Sequence, residues 1–247
     1  MKLINKSFVY ALDFDGVICD SAIETAMTGW KVATKVWSDM AGTVPSNTHI
    51  KQFQALRPYL ETGYEAVIFM RLLQQGETVE HIQANIQQFF AQFSPDAPLL
   101  KKLFGQTRDQ WIQQDQEEWV TMNPLFDGVA EKLRELKDCN WYIVTTKQER
   151  FVEQILAANQ VEMPVNIYGL DRQMSKSTVL AELIGRHQKE KICLIEDRLP
   201  TLLKVQSQED LSEVDLQLVD WGYNTEQDRK KARDSGIPVI SLPEFLS

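Results

Sequence analysis

The chain has 247 residues, 43% hydrophobic and 25% charged, a composition that excludes a disordered chain and suits one or two globular domains. Its formal net charge of −9, with no block of Lys or Arg, disfavours nucleic acid as a partner, so any phosphorylated substrate must be held by local groups. Apolar runs such as Ala66-Val67-Ile68-Phe69-Met70 fall far short of the roughly 20 residues that span a bilayer, so no membrane partner is expected.

In chain order, the stretch Met1-Lys2-Leu3-Ile4-Asn5-Lys6 returns to polar residues before an apolar signal region develops, which predicts a cytoplasmic location. The segment Phe8-Val9-Tyr10-Ala11-Leu12 is a short apolar run ending at a carboxylate, as a strand buried on both faces of a parallel sheet reads. From Ser21 to Val120 the apolar residues recur at helical spacing, as in Tyr64, Val67, Ile68 and Leu72, or Ile82, Ile86, Phe89, Phe90 and Phe93. Gly42 to Pro45, Gly76 and Ser94 to Pro98 divide this stretch into four or five expected helices. After Pro124 a helix is expected near Gly128 to Lys137, capped by Asp127, with Val129, Leu133 and Leu136 on one face. Strands are then expected at Trp141–Thr145, Val165–Tyr168, Lys191–Ile195, Leu216–Val219 and Ile237–Ile240, separated by amphipathic helices. The pattern is α/β: a Rossmann-like parallel sheet core, 1–20 and 121–247, with an all-helical cap domain inserted at 21–120.

In such sheets reactive groups collect beyond the carboxyl ends of the strands. The first strand runs into Asp13-Phe14-Asp15-Gly16, where Asp13 suits a nucleophile and metal ligand. Asp15 suits metal binding through its carbonyl and proton transfer through its side chain. Taken alone, the same residues also suit a surface turn. The strand at Trp141 ends in Thr145-Thr146-Lys147, where a hydroxyl and backbone N–H groups at a helix start can hold phosphate; a plain helix N-cap reads the same way. Lys176 opens a helix, where a cation opposes the helix dipole, so either charge compensation between the carboxylates and a bound phosphate, or plain solvation at the surface, accounts for it there. Ile192-Cys193-Leu194-Ile195 ends in Glu196-Asp197, further oxygen ligands for a hard cation. Cys19, Cys139 and Cys193 are odd in number and dispersed, which predicts reduced thiols; His49, His81 and His187 have no zinc-site spacing.

In this order and spacing, Asp13-x-Asp15-Gly16, Thr145, Lys176 and Glu196-Asp197 resemble the four motifs of the haloacid dehalogenase superfamily. The helical insertion resembles the helical-cap subgroup that includes phosphoglycolate phosphatases and β-phosphoglucomutases. Pro124-Leu125-Phe126-Asp127-Gly128-Val129 resembles the return to the core, and Trp221-Gly222-Tyr223 a trailing element. The resemblance implies a magnesium-dependent phosphatase acting on a small phosphorylated metabolite. Asp13 attacks phosphorus, Asp15 protonates the leaving oxygen and then activates water, and Mg2+ is held by Asp13, Asp15 and Asp197, with Glu196 alongside or acting through water. Thr145, Thr146 and Lys176 hold the phosphoryl oxygens. Thr201 departs from the family, many of whose members carry an acid there. Asp15 argues against a dehalogenase, since halide departs without a proton donor. A phosphosugar mutase and a non-catalytic metal- or partner-binding module are the alternatives. Specificity is expected from cap residues such as Arg57, Tyr59, Glu61, Tyr64 and Arg71, closing over the strand ends. Cys19 reads as a buried hinge cysteine, and Asp20 and Ser21 as hinge or helix-capping residues. Substrate identity and oligomeric state are not legible.

Overall fold

The computed structural model describes residues 8–247, so the polar stretch Met1–Lys6 lies outside the described residues. In chain order the elements are β1 (Phe8–Leu12), then α1 (Ala22–Val36), α2 (Asn47–Leu56), α3 (Glu65–Gln74), α4 (Val79–Ala84), α5 (Ile86–Phe93), α6 (Ala97–Gln114) and α7 (Gln116–Thr121). They continue with α8 (Val129–Glu135), β2 (Trp141–Val144), α9 (Glu149–Ala158), β3 (Asn166–Tyr168), α10 (Lys176–Arg186), β4 (Lys191–Glu196), α11 (Leu199–Gln206), β5 (Asp215–Val219), α12 (Glu226–Asp234), β6 (Val239–Ile240) and α13 (Leu242–Leu246). The described residues up to Asp20 form one compact unit with Pro124–Ser247, and Ser21–Asn123 form a second. No helix among the described residues is long and apolar enough to cross a membrane.

The first unit is a six-stranded sheet in the order β3-β2-β1-β4-β5-β6, with every pairing parallel. Four of the five β1 residues are buried, as a strand with neighbours on both edges and helices on both faces requires. The chain winds from β1 to β2 and β3 on one side, then returns to β4 and leaves on the other. The switch point therefore lies between β1 and β4, where open α/β sheets form clefts beyond the strand ends. Val9, Ala11, Tyr142, Val144, Ile192 and Leu194 from the sheet pack with Val179, Leu180 and Leu183 of α10 in one buried cluster. Each buried Val, Leu or Ile among them contributes roughly 1.5–3 kcal/mol relative to exposure, which fixes the strand ends that carry the polar residues.

The helical unit contains seven α-helices among the described residues, more than the four or five expected. The extra breaks come without strong punctuation. Asn85 separates α4 from α5 in a non-helical conformation, and Asp115 leaves α6 extended, its carboxylate accepting the Glu118 N–H to start α7. Asp127 does not cap α8 either. The N-cap is Gly128 at φ +80°, a left-handed conformation that favours glycine, with no side-chain capping bond. Gly29 of α1 lets the backbone of α3 approach, because a Cβ there would lie 2.9 Å from the Ala66 carbonyl carbon.

Within that unit a buried ion pair crosses from α1 to α6. Arg108 donates to both carboxylate oxygens of Glu24 at 2.8 and 2.5 Å, and Thr28 and Trp119 donate to the same group at 2.6 and 3.2 Å. Every oxygen of Glu24 is thus satisfied, as a fully buried charge requires. Arg108→Ala leaves that carboxylate uncompensated and is expected to cost about 3–5 kcal/mol in urea denaturation, whereas joint Glu24→Gln and Arg108→Met costs less. A loss below about 1 kcal/mol for Arg108→Ala would show that the pair does not hold α1 to α6.

Candidate active site

The register of the two central strands builds the site. Leu12 of β1 pairs with Ile195 of β4, and the Asp13 N–H continues the ladder to the Ile195 carbonyl at 2.9 Å. The next residues on the two strands, Asp13 and Glu196, therefore leave the sheet side by side. Beyond β1 the chain folds into a tight turn in which the Ile18 and Cys19 N–H groups both donate to the Phe14 carbonyl at 2.9 Å. Gly16 within it adopts φ +89°, and a Cβ there would collide with the Asp197 carboxylate.

Asp13, Glu196 and Asp197 are buried, and one oxygen from each lies within 4.8 Å of the others. Lys176, the first residue of α10, reaches Asp13 Oδ1 at 2.9 Å and Glu196 Oε2 at 2.6 Å. Ser175 caps that helix, accepting the Thr178 N–H. The cation at a helix N-terminus is unfavourable by about 0.3–1 kcal/mol, and the two carboxylates offset this. Glu196 Oε1 accepts the Arg198 N–H at 3.0 Å, so both of its oxygens are engaged. Asp197 Oδ2 accepts the Tyr223 N–H at 2.8 Å, while the Asn224 amide donates to the Asp197 carbonyl at 2.9 Å and the Val219 carbonyl at 2.8 Å. A Cβ at Gly222 would collide with Asp197 and with the Gly16 carbonyl, so this loop packs against the site only because that residue is glycine. The Tyr223 hydroxyl donates to Asp20 at 2.8 Å.

Burial is the main influence on Asp13 and, reinforced by the neighbouring Glu196 charge against the pull of Lys176, pushes its carboxyl up to about 7. Burial would also raise Glu196, but Lys176 outweighs it and holds that carboxyl low. Burial would lower Lys176; the Asp13 and Glu196 charges overcome it and raise it. The lysine proton is therefore secure, while Asp13 is the carboxyl in which negative charge is hardest to keep.

The strand-end segment after β2 differs from expectation. Thr145 does not stand at a helix start: α9 begins at Glu149, and the Thr145 hydroxyl accepts the Lys147 N–H at 3.1 Å. Thr145 is buried and Thr146 exposed, on a loop rather than a helical turn. The sequence reading gave no role to Lys147. Its side chain is completely buried and its Nζ lies 2.8 Å from Asp15 Oδ1. The available signal was a cation at the end of a central strand, on the edge of the sheet where the carboxylates also leave.

Four carboxylates, Asp13, Asp15, Glu196 and Asp197, thus face two lysines, Lys147 and Lys176. The excess of two negative charges matches one divalent cation. The donors are all carboxylate oxygens, with no thiolate or imidazole, a set that suits a hard ion such as magnesium rather than zinc. Other expected residues fall elsewhere. In the helical unit Arg71 pairs with Asp39 at 2.6 Å, Tyr64 lies under Lys101 and Arg57 is buried, whereas Glu61 is exposed and Tyr59 half-buried. Cys19 is buried, Ser21 starts α1 without a side-chain capping bond and Thr201 lies on α11.

A family model for haloacid dehalogenase-like hydrolases matches residues 9–200. Among solved structures the chain is similar to a predicted phosphatase from Clostridium acetobutylicum (16% identity, 98% of this chain and 96% of that chain, TM-score 0.59). It is similar also to a predicted phosphoglycolate phosphatase from Haemophilus somnus 129PT (14% identity, 92% of each chain, TM-score 0.57). A third likeness is to a hydrolase from Deinococcus radiodurans R1 with bound phosphate and sodium (13% identity, 96% of this chain and 92% of that chain, TM-score 0.53). At these identities the likeness is one of fold. No curated protein matches the chain.

The Asp13 environment gives a pH dependence with a definite sign. An acid raised from 3.8 unfolded to about 7 folded binds its proton more tightly in the native state, so stability is lost as pH rises between those values. Glu196 and Lys176 shift outside this window, below 4.5 and above 10.5, and contribute a constant amount across it. In chelator, unfolding free energy is expected to fall by roughly 2.5 kcal/mol between about pH 5 and pH 8. Asp13→Asn should flatten that slope, and so should a divalent cation. A wild-type stability that is level or rises over this range would contradict the electrostatic account.

Proposed function

The chain belongs to the haloacid dehalogenase-like hydrolases, and on that premise we propose that it is a magnesium-dependent phosphatase that hydrolyses a small phosphate monoester through an aspartyl-phosphate at Asp13. The observation that carries this reading is the position of Lys176, 2.9 Å from Asp13 and 2.6 Å from Glu196, beside a cluster of three buried carboxylates. A cation among acids at a switch point suits a phosphoryl group, whose oxygens need neutralising and whose phosphorus must stand in line with an attacking oxygen.

In the first half-reaction an Asp13 carboxylate oxygen attacks phosphorus, the bond to the ester oxygen breaks, and Asp15 gives its proton to the departing alcohol. In the second half, water attacks phosphorus, Asp15 takes the water proton, and the bond to Asp13 breaks to release phosphate and restore the carboxylate. The two acids suit different roles. Asp13 is buried and sits against Lys176, whereas the Asp15 side chain keeps 18% of its surface exposed, which lets its proton exchange with substrate or water. Lys176 and Thr145, with Thr146 at the exposed edge, hold the phosphoryl oxygens. Asp13, the Asp15 carbonyl and Asp197, with Glu196 alongside, would hold Mg2+, which when bound offsets the negative charge gathering on the phosphoryl group.

The net charge of −9 favours a small metabolite over a polyanion, and the reading places the enzyme in the cytoplasm with Cys19, Cys139 and Cys193 reduced. Purified protein with magnesium is expected to hydrolyse p-nitrophenyl phosphate and to lose that activity in EDTA. Asp13→Asn should abolish turnover, and Asp15→Asn should lower kcat by about 10²–10⁴-fold. Undiminished activity in Asp13→Asn would sink the assignment. A panel of phosphorylated metabolites, with phosphoglycolate among them, then ranks substrates by kcat/KM.

A further inference from the structure

Lys147 is a charged group at these strand ends to which the family motifs give no role. Its side chain is wholly buried, and an ammonium group withdrawn from water is costly unless paired. Its partner is Asp15, at 2.8 Å, while Lys176 serves Asp13 and Glu196.

The lysine is also rigidly mounted. Its N–H donates to the Thr145 hydroxyl at 3.1 Å, and its carbonyl accepts the Leu170 N–H at 3.0 Å. Gly169 permits this second contact, because a Cβ there would stand 2.8 Å from the Lys147 carbonyl oxygen. The Gly169 N–H in turn donates to Glu149 at 3.1 Å, so the end of β3, the start of α9 and the loop between β2 and α9 form one braced corner. Nζ further stands 5.8 Å from the centre of the Phe14 ring, between the two aspartates in sequence. A surface lysine that chanced on a carboxylate would have none of this bracing.

We propose that Lys147 is a positioning residue for Asp15: anchored to the β3–α9 corner, it fixes the side-chain conformation from which Asp15 passes its proton to the leaving oxygen and later takes one from water. This rests on the phosphatase reading and adds to it a residue that does not touch the phosphoryl group. The bonds made and broken are those of the two half-reactions above. No bond to Lys147 is made or broken, and its contribution is geometric.

The role is separable from phosphate binding by leaving group and by double substitution. With phenyl phosphate, whose departing oxygen needs a proton, Lys147→Met is expected to lower kcat by about 10²-fold with KM changed less than about threefold. With 2,4-dinitrophenyl phosphate, whose leaving group departs without a proton, the first burst of dinitrophenolate should stay within about threefold of wild type. Lys147→Arg, which keeps charge and reach, should recover activity to within about tenfold, and Lys147→Met in an Asp15→Asn background should cost less than about threefold.

A rise in KM at constant kcat, or a full penalty in the Asp15→Asn background, would assign Lys147 to the phosphoryl group or to stability and overturn the inference. Should Lys147→Met lose its native circular dichroism, the paired variant Asp15→Asn with Lys147→Met removes both charges. It is compared with Asp15→Asn alone, and a large further loss is again the overturning result. A wild-type protein without magnesium-dependent release of phenol removes the phosphatase reading and this inference together. An active wild type, an inactive Asp13→Asn and an unimpaired Lys147→Met remove the inference alone.

Discussion

The arrangement depends on gathering more negative charge at one end of a β-sheet than the protein itself neutralises. Four carboxylates stand there against two lysines, and three of the four are buried where water does little to screen them. Burial in this poorly solvated site, reinforced by the neighbouring Glu196 charge, raises the carboxyl of Asp13 to about 7. Stability alone would select against such an arrangement. In the proposed chemistry a divalent cation and a phosphoryl group are the species that would complete it.

The sheet supplies what the charges cannot supply for themselves, namely position. Because β1 and β4 are adjacent and in parallel register, Asp13 and Glu196 leave the sheet at the same level without any loop having to find them. The register is held by apolar side chains that cannot slip by one residue without turning a buried face outward. Loops then add finer constraint. Gly16 and Gly222 press from two sides on Asp197, whose Oδ2 takes the Tyr223 N–H and whose carbonyl takes the Asn224 amide. Arg229 donates to the Asn224 side chain at 2.9 Å, tying this support to the first turns of α12. The Asp197 carboxylate is thereby oriented from the loop side, through one of its two oxygens.

Much of this was legible in the sequence because it rests on short-range pattern. β1 stands at the residues the apolar run marked, and the parallel α/β architecture followed from runs of four to six residues alternating with amphipathic stretches. The motif residues could be read as a group because they gather at or just beyond strand ends or open a helix. What escaped were features set by contacts distant in sequence or by the conformation of single residues. Asp127 looked like a cap, but the backbone turns at Gly128 and leaves it no capping role. Thr145 looked like the start of a helix that begins at Glu149, because the loop between is shaped by its bond to Lys147 and by the approach of Gly169. Lys147 has no periodicity or motif to mark it, and its partner lies 132 positions away. The breaks at Asn85 and Asp115 rest on single side chains in otherwise helical sequence, which composition does not distinguish from ordinary helical polar residues.

The two units each bury a cluster of charge, and the contrast between the clusters separates structure from function. In the helical unit the Glu24 carboxylate meets one guanidinium, one hydroxyl and one indole N–H, so its charge is balanced and its lone pairs are filled. Such a cluster asks for nothing from outside; it selects one packing of α1 against α6 and is otherwise inert. In the sheet unit the balance is short by two positive charges, and the two lysines are divided, Lys176 to the buried pair and Lys147 to the more exposed Asp15. That division gives chemically identical aspartates, two residues apart, different surroundings: one buried beside its cation, the other held at the rim by a lysine from another strand end. The proposed reaction assigns the two carboxyl groups different roles, nucleophile and proton carrier, and the difference between them is built from the lysine each of them meets.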